Sequence, residues 1–114
     1  MNCTPGAGWV AIKGEPINLS NGQDFVHSID LAAGFPNFPA GSTSWITIDD
    51  MVGQWDGVLG LDGRSFDWRE EQTETTSVLV KNRATYRIWL KMPNVDTGTD
   101  DDYLWYIGEV RRTD

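Results

Sequence analysis

Tyr103-Leu104-Trp105-Tyr106-Ile107-Gly108-Glu109-Val110-Arg111-Arg112 crowds three aromatic rings and two arginines into ten residues almost at the end of a 114-residue chain. Read at period two, Leu104, Tyr106 and Val110 share one face, and Tyr103, Trp105, Ile107, Glu109 and Arg111 share the other. Loose chain ends are normally polar and frayed, so a closing segment this apolar has to be paired inside a sheet. The stretch reads as a strand with one apolar and one amphipathic side.

Working back from it, turn signals recur at short intervals: Asn21-Gly22, Gly34-Phe35-Pro36, Pro39-Ala40-Gly41, Asp56-Gly57, Asp62-Gly63, Lys81-Asn82 and Met92-Pro93-Asn94. No window shows a sustained i, i+3, i+4 apolar pattern, and 12 glycines and 5 prolines further oppose a helical bundle. Strands are expected at residues 17–19, 25–31, 44–48, 52–55, 65–68, 76–80, 85–92 and 103–111. In 85–92, Tyr86, Ile88, Leu90 and Met92 share one face, with Arg87, Trp89 and Lys91 on the other. Residues 69–75, Arg-Glu-Glu-Gln-Thr-Glu-Thr, read as a connection, either an acidic loop or one helical turn.

A single sheet of seven or eight short strands would leave one apolar face bare. The fold expected is therefore an all-β, antiparallel β-sandwich. The domain is assigned to residues 16–114. Residues 1–15 read as a flexible N-terminal arm, because Pro5, Gly6, Gly8 and Gly14 resist regular structure while Trp9, Val10 and Ile12 offer an apolar anchor.

A formal net charge of −8 argues against nucleic acid or an anionic membrane as partner, since both require a Lys/Arg-rich face. The start of the chain has neither the basic opening nor the apolar run of a secretion signal, and nothing approaches the ~20 apolar residues of a membrane helix. Synthesis in a cytoplasm is expected. Cys3 is the only cysteine, so neither an intramolecular disulfide nor a cysteine-rich metal site can form.

Three constellations invite chemistry. The run from 96 to 102 holds Asp96, Asp100, Asp101 and Asp102 around Gly98, an oxygen-rich composition that suits Ca²⁺, but it lacks EF-hand spacing and the distant bidentate glutamate. A solvated hairpin loop accounts for it, and no metal site is assigned. Asp49, Asp50, Asp56, Asp62 and Asp67 could suggest paired carboxylates for glycoside hydrolysis, yet Asp-Gly pairs at 56–57 and 62–63 are ordinary turn chemistry. His27 shares a face with Phe25 and Ile29, where a structural imidazole is expected, and no Gly-x-Ser-x-Gly nucleophile motif or phosphate-cradling glycine loop occurs. No catalytic or cofactor-binding residue is assigned, and no enzyme activity is expected.

The tryptophans are more informative. Trp45, Trp55, Trp68, Trp89 and Trp105 fall in expected strands, where an indole usually fills the core. Alternation nevertheless puts Trp89 with Arg87 opposite Ile88 and Leu90, and Trp105 with Tyr103 and Arg111 opposite Leu104 and Tyr106. Trp, Tyr and Arg are enriched at interface hot spots, so Arg87, Trp89, Tyr103, Trp105 and Arg111, with Trp9 and Ile12 of the arm, form the expected partner-binding set.

The segment Pro16-Ile17-Asn18-Leu19-Ser20-Asn21-Gly22-Gln23-Asp24-Phe25, the run Phe38-Pro39-Ala40-Gly41-Ser42-Thr43 before Ile46 and Ile48, and the Tyr103 to Arg112 ending together resemble the LtfC-type β-sandwich family of small structural proteins from phages of actinobacteria. The resemblance spans most of residues 16–112. It implies an Ig-like β-sandwich and a non-enzymatic virion protein without cofactors, made in the host bacterial cytoplasm, that binds other virion proteins, major capsid or tail, alone or as a homo-oligomer. A minor capsid or capsid-decoration protein is the first expectation and a tail or baseplate adaptor the second. A carbohydrate-binding module, with exposed indoles along a groove, is the alternative from a different class.

Overall fold

The computed structural model describes residues 11–31, 33–94 and 96–114. These residues form nine strands and no α-helix: β1 (Ile12–Lys13), β2 (Ile17–Leu19), β3 (Phe25–Asp30), β4 (Thr43–Ile48), β5 (Trp55–Asp56), β6 (Val58–Leu59), β7 (Ser65–Glu70), β8 (Thr85–Asn94) and β9 (Thr99–Arg112). The larger sheet runs in the order β1-β9-β8-β4-β5, with β2 also on β9, and the smaller runs β3-β7-β6. Period-two burial gives each sheet one apolar inner face: Ser44, Ile46 and Ile48 of β4 and Tyr86, Ile88 and Leu90 of β8 on one side, Phe66 and Trp68 of β7 on the other. Two sheets close over these faces as the β-sandwich the alternation predicts.

The hairpin β8–β9 dominates the larger sheet, and it is antiparallel and adjacent as the sequence suggests. Pairing reaches Asn94↔Thr99, so Thr99 to Asp102 belong to the strand and the acidic connection is much shorter than 96–102. Both β1 and β2 pair with β9 in parallel, Ile12↔Tyr106 and Ile17↔Val110, which departs from an all-antiparallel reading. Three residues near the end of the expected loose arm are involved: Ile12 and Lys13 are paired, and Gly14 N–H donates to Ile107 O at 2.8 Å. Residues 1–10, including Trp9, lie outside the described residues.

One irregularity controls what β9 shows to each side. Ile88 faces Tyr106 while its neighbour Trp89 faces Leu104, which leaves Trp105 as an extra residue opposite no partner. Such a bulge changes the phase of alternation, because two residues of one strand oppose one of the other. Trp105 and Tyr106 therefore turn to the same side, their ring centroids 5.3 Å apart. Trp105 is only 4% exposed and meets Phe38 at 5.6 Å and Phe66 at 6.3 Å, both edge-on, an arrangement favoured by the ring quadrupoles. Leu104 moves to the outer face, opposite Trp89.

Two expected strands do not form. In 52–55 only Trp55 is paired, because Asp50 and Gly53 both take positive φ and Met51 N–H bonds back to Ile48 O, making a turn that leaves Val52 exposed. In 76–80, Leu79 and Val80 N–H both bond to Thr76 O, so the apolar run curls into a turn that drops Val80 into the core. The local bonds win over β propensity because one buried anchor satisfies the segment. The 69–75 connection is strand to Glu70, then a 3₁₀ turn at Gln72–Glu74.

That turn region is tied to the end of β9 by Arg112, whose side chain is 2% exposed. Its Nη1 donates to Thr75 O at 2.8 Å and Val80 O at 3.3 Å, Nη2 to Asn21 Oδ1 at 3.2 Å, and Nε and Nη2 to the Asp114 carboxylate at 3.0 Å each. A guanidinium can be buried here because its five N–H donors find acceptors in three separate segments. Arg112→Met leaves those carbonyls without their donor and should cost about 3 kcal/mol in urea denaturation, and a loss under half a kilocalorie would contradict the clamp.

The same clamp predicts a pH dependence. The hydrogen bond from Arg112, followed by that from Asn21 N–H, holds the Asp114 carboxyl below its ordinary value of 3.8. A depressed carboxylate contributes stability that is present above the unfolded value and lost as pH falls through the folded one. Acid titration of stability should fall less steeply below 3.8 in Asp114→Asn than in the wild type. Identical slopes would show that the pair is not held in solution.

Candidate partner surface

The outer face of the larger sheet carries an apolar row across three adjacent strands. Trp45 of β4 is in register with Trp89 of β8, and Trp89 with Leu104 of β9. Directly opposite side chains on neighbouring strands sit about 4.5–5.5 Å apart at Cβ, so the three cover a continuous strip. All three are half-buried, unlike the enclosed Trp55, Trp68 and Trp105. Trp89 Nε1–H donates to Thr47 Oγ1 at 3.0 Å, which fixes the indole on the sheet.

Charge frames this strip. Arg87 Nη1 pairs with Asp49 Oδ1 at 3.0 Å, and Lys91 Nζ approaches Asp102 Oδ1 at 3.9 Å while lying 5.9 Å from the centre of the Trp45 ring. Further along β9, Arg111 Nε donates to Glu109 Oε1 at 2.8 Å and holds that carboxyl below its usual range. These pairs are open to solvent and add little stability. Their effect is to surround an apolar strip with polar groups already matched in charge, the pattern of an interface core and rim.

Of the seven residues expected to form the partner set, the structure brings Arg87, Trp89 and Arg111 to this face. Ile12 lies at the sheet edge in β1 and is 48% exposed. Tyr103 and Trp105 do not join them, and both expectations are corrected. Tyr103 is in register with buried Leu90 and so turns inward, and Trp105 fills the core, because the bulge shifts the phase that simple alternation assumed. Trp45 was missed, although Trp45 and Thr47 alternate visibly against Ser44, Ile46 and Ile48. Leu104 lies on the outer face rather than with Tyr106 and Val110, for the same reason as Trp105.

The carboxylates do not converge. Asp49 pairs with Arg87, Asp56 Oδ1 accepts from Gln54, Asp62 Oδ1 from the Arg64 N–H and Asp67 Oδ1 from Ser28. In the hairpin, Asp101 Oδ2 accepts from Asn94 Nδ2 at 3.0 Å while neighbouring Asp102 turns to Lys91. Among the described residues no group of three or more His, Cys, Asp and Glu side chains is placed to hold a metal ion. The His27 ring lies 5.9 Å from Phe25 and 6.2 Å from Trp68, and burial lowers its pKa.

With the strip and its frame located, comparison with known families gives a direct result. The model of the LtfC-like, beta-sandwich domain family matches residues 12–113, nearly the whole chain, and the protein belongs to that family. No curated protein is similar enough to count as a match. The match begins at Ile12, the first of the described residues paired to β9, in keeping with β1 as part of the domain.

Trp105, at the bulge, and Trp89, on the strand beside it, should separate by stability. Trp105→Ala empties a core position and should cost about 3–5 kcal/mol in equilibrium denaturation. Trp89→Ala removes a half-open side chain and should cost about 1 kcal/mol or less. Equal losses would place Trp89 in the core and dissolve the strip.

Proposed function

From membership of the LtfC-like β-sandwich family, we propose that this chain is a non-enzymatic structural protein of a bacteriophage virion, made in the host bacterial cytoplasm, that attaches to another virion protein through the outer face of its larger sheet. The observation that supports this most is the Trp45, Trp89, Leu104 strip, a continuous apolar surface on an otherwise acidic protein. Rigid indoles anchored on a sheet lose little conformational freedom on docking, which is why such residues dominate interface energetics. A minor capsid or decoration role is the first placement, and a tail or baseplate adaptor the second.

Trp45 also gives a sugar-binding reading some footing, because Gln54, Asp56, Thr43 and Lys91 surround it in an open depression. The ring face on which a sugar must stack already carries Lys91 Nζ, however, and the second indole is a cross-strand neighbour. Protein docking uses both features, whereas sugar stacking has to displace the ammonium.

The test is incorporation. Trp45→Ala and Trp89→Ala should each weaken attachment to purified particles by about 2 kcal/mol, close to thirtyfold in affinity, while the isolated domain keeps its melting temperature within a few degrees. Comparing tailed particles with capsids lacking tails separates the two placements. Normal attachment of both variants, or binding of soluble glycans that Trp45→Ala abolishes, would overturn this reading.

A further inference from the structure

A second surface stands apart from the tryptophan strip. Among the described residues β3 is an edge strand, paired with β7 on one side only. Leu31 N–H donates to Arg64 O at 2.8 Å, which makes Leu31 and Arg64 a hydrogen-bonded pair. Antiparallel alternation then makes Ile29–Phe66, His27–Trp68 and Phe25–Glu70 hydrogen-bonded pairs in turn. The N–H and C=O groups of Val26, Ser28 and Asp30 therefore point away from β7, to the open edge.

Edges of this kind are normally blunted by proline, lysine, a bulge or a covering segment. β3, Phe-Val-His-Ser-Ile-Asp, has no proline, no lysine and an unbroken register with β7. It also borders a cleft of about 540 Å³, bounded across from β3 by residues 14–18 and closed at its base by Tyr86, Ile88 and Tyr106. That volume admits a few side chains of one extended segment. A strand already embedded in a second copy's sheet has neighbours that the 14–18 wall excludes.

The cleft's charge selects further. Its lining includes Glu15, Asp24 and Asp30 and no lysine or arginine. Asp24 is shared with Arg69 at 3.5 Å, and the one basic group, His27, is biased toward its neutral form by burial. Another copy would bring a further net charge of −8 to an acidic edge. We propose that the β3 edge and its cleft receive an extended segment of a different protein, added as a fourth strand, with alternate apolar side chains in the cleft and lysine or arginine at its ends.

The proposal concerns a different surface from the tryptophan strip, and its test is independent of particle attachment. The full chain is titrated with a seven-residue peptide of alternating valine and threonine carrying lysine at both ends, and amide exchange is followed by NMR. Amides of Val26, Ser28 and Asp30 should slow by about tenfold at saturation, and those of Phe25, His27 and Ile29, already bonded to β7, should change little. The same peptide with glutamate ends, or with N-methyl groups on its edge-facing amides, should give no slowing. Ser28→Pro removes one outward N–H and leaves the backbone ladder to β7 intact, losing only the exposed Ser28–Asp67 side-chain bond, and should abolish the effect while the domain stays folded; Ser28→Ala, which loses that side-chain bond alone, should keep it.

Absence of slowing with the lysine peptide would overturn the proposal, and equal slowing with the glutamate peptide would overturn its charge requirement. Protection that grows with protein concentration alone would assign the edge to a second copy. Protection already present in the peptide-free chain and lost on deleting residues 1–10 would assign it to the chain's own N-terminal segment, and either result contradicts a foreign strand.

Discussion

The extra residue at Trp105 sets how the rest of the molecule is arranged. Without it, β9 would keep one phase along its length, and Trp105 and Tyr106 would face opposite sides. With it, both rings enter the sandwich, where Trp105 joins Phe38 and Phe66 across the gap between the sheets. Beyond the bulge the new phase brings Gly108 opposite Tyr86 and Val110 into the core. A Cβ at Gly108 would lie 2.6 Å from the Tyr86 ring, and one at Gly14 would lie 2.0 Å from its hydroxyl. The tyrosine thus crosses two glycines to donate to Glu15 O at 2.7 Å, which ties β1 and β2 to the centre of the sheet.

The same bulge makes the outer face. By sending Leu104 outward beside Trp89 it completes an apolar row that starts at Trp45, and it leaves the inner side of β9 to the core. One sheet consequently serves two ends, an interior built from edge-on aromatic contacts and an exterior strip ringed by Arg87, Lys91 and their carboxylate partners. The smaller sheet has a different character. Its outer positions mix polar Ser28, Asp67 and Arg69 with the exposed Val26 and Val58, and its free resource is the backbone of β3.

Much of this was legible beforehand, and the failures share a cause. Period-two alternation in β4, β7 and β8 located the core because those strands are regular, and the turn residues between them located the connections. β9 defeated alternation because a bulge carries no residue type of its own: nothing in Tyr-Leu-Trp-Tyr says which ring is doubled. Residues 76–80 defeated it differently, since a β-branched run closed into a turn around Thr76 O once Val80 had a core site to fill. Parallel pairing of β1 and β2 was invisible, as it joins residues nearly a chain length apart. Arg112 was read only as one of two closing arginines, and its clamp depends on three carbonyl and side-chain acceptors brought from separate turns.

The central claim is that the bulge in β9 sends Trp105 to the core and Leu104 outward, where it completes with Trp45 of β4 and Trp89 of β8 the strip proposed to meet a partner. Electron cryomicroscopy of particles that carry this chain, at side-chain resolution, tests it most directly. The account predicts Trp45 and Trp89 covered by a neighbouring virion protein, with Trp105 enclosed between the two sheets. A map with the outer face of the larger sheet turned to solvent, or with Trp105 in contact with the neighbour, would contradict it.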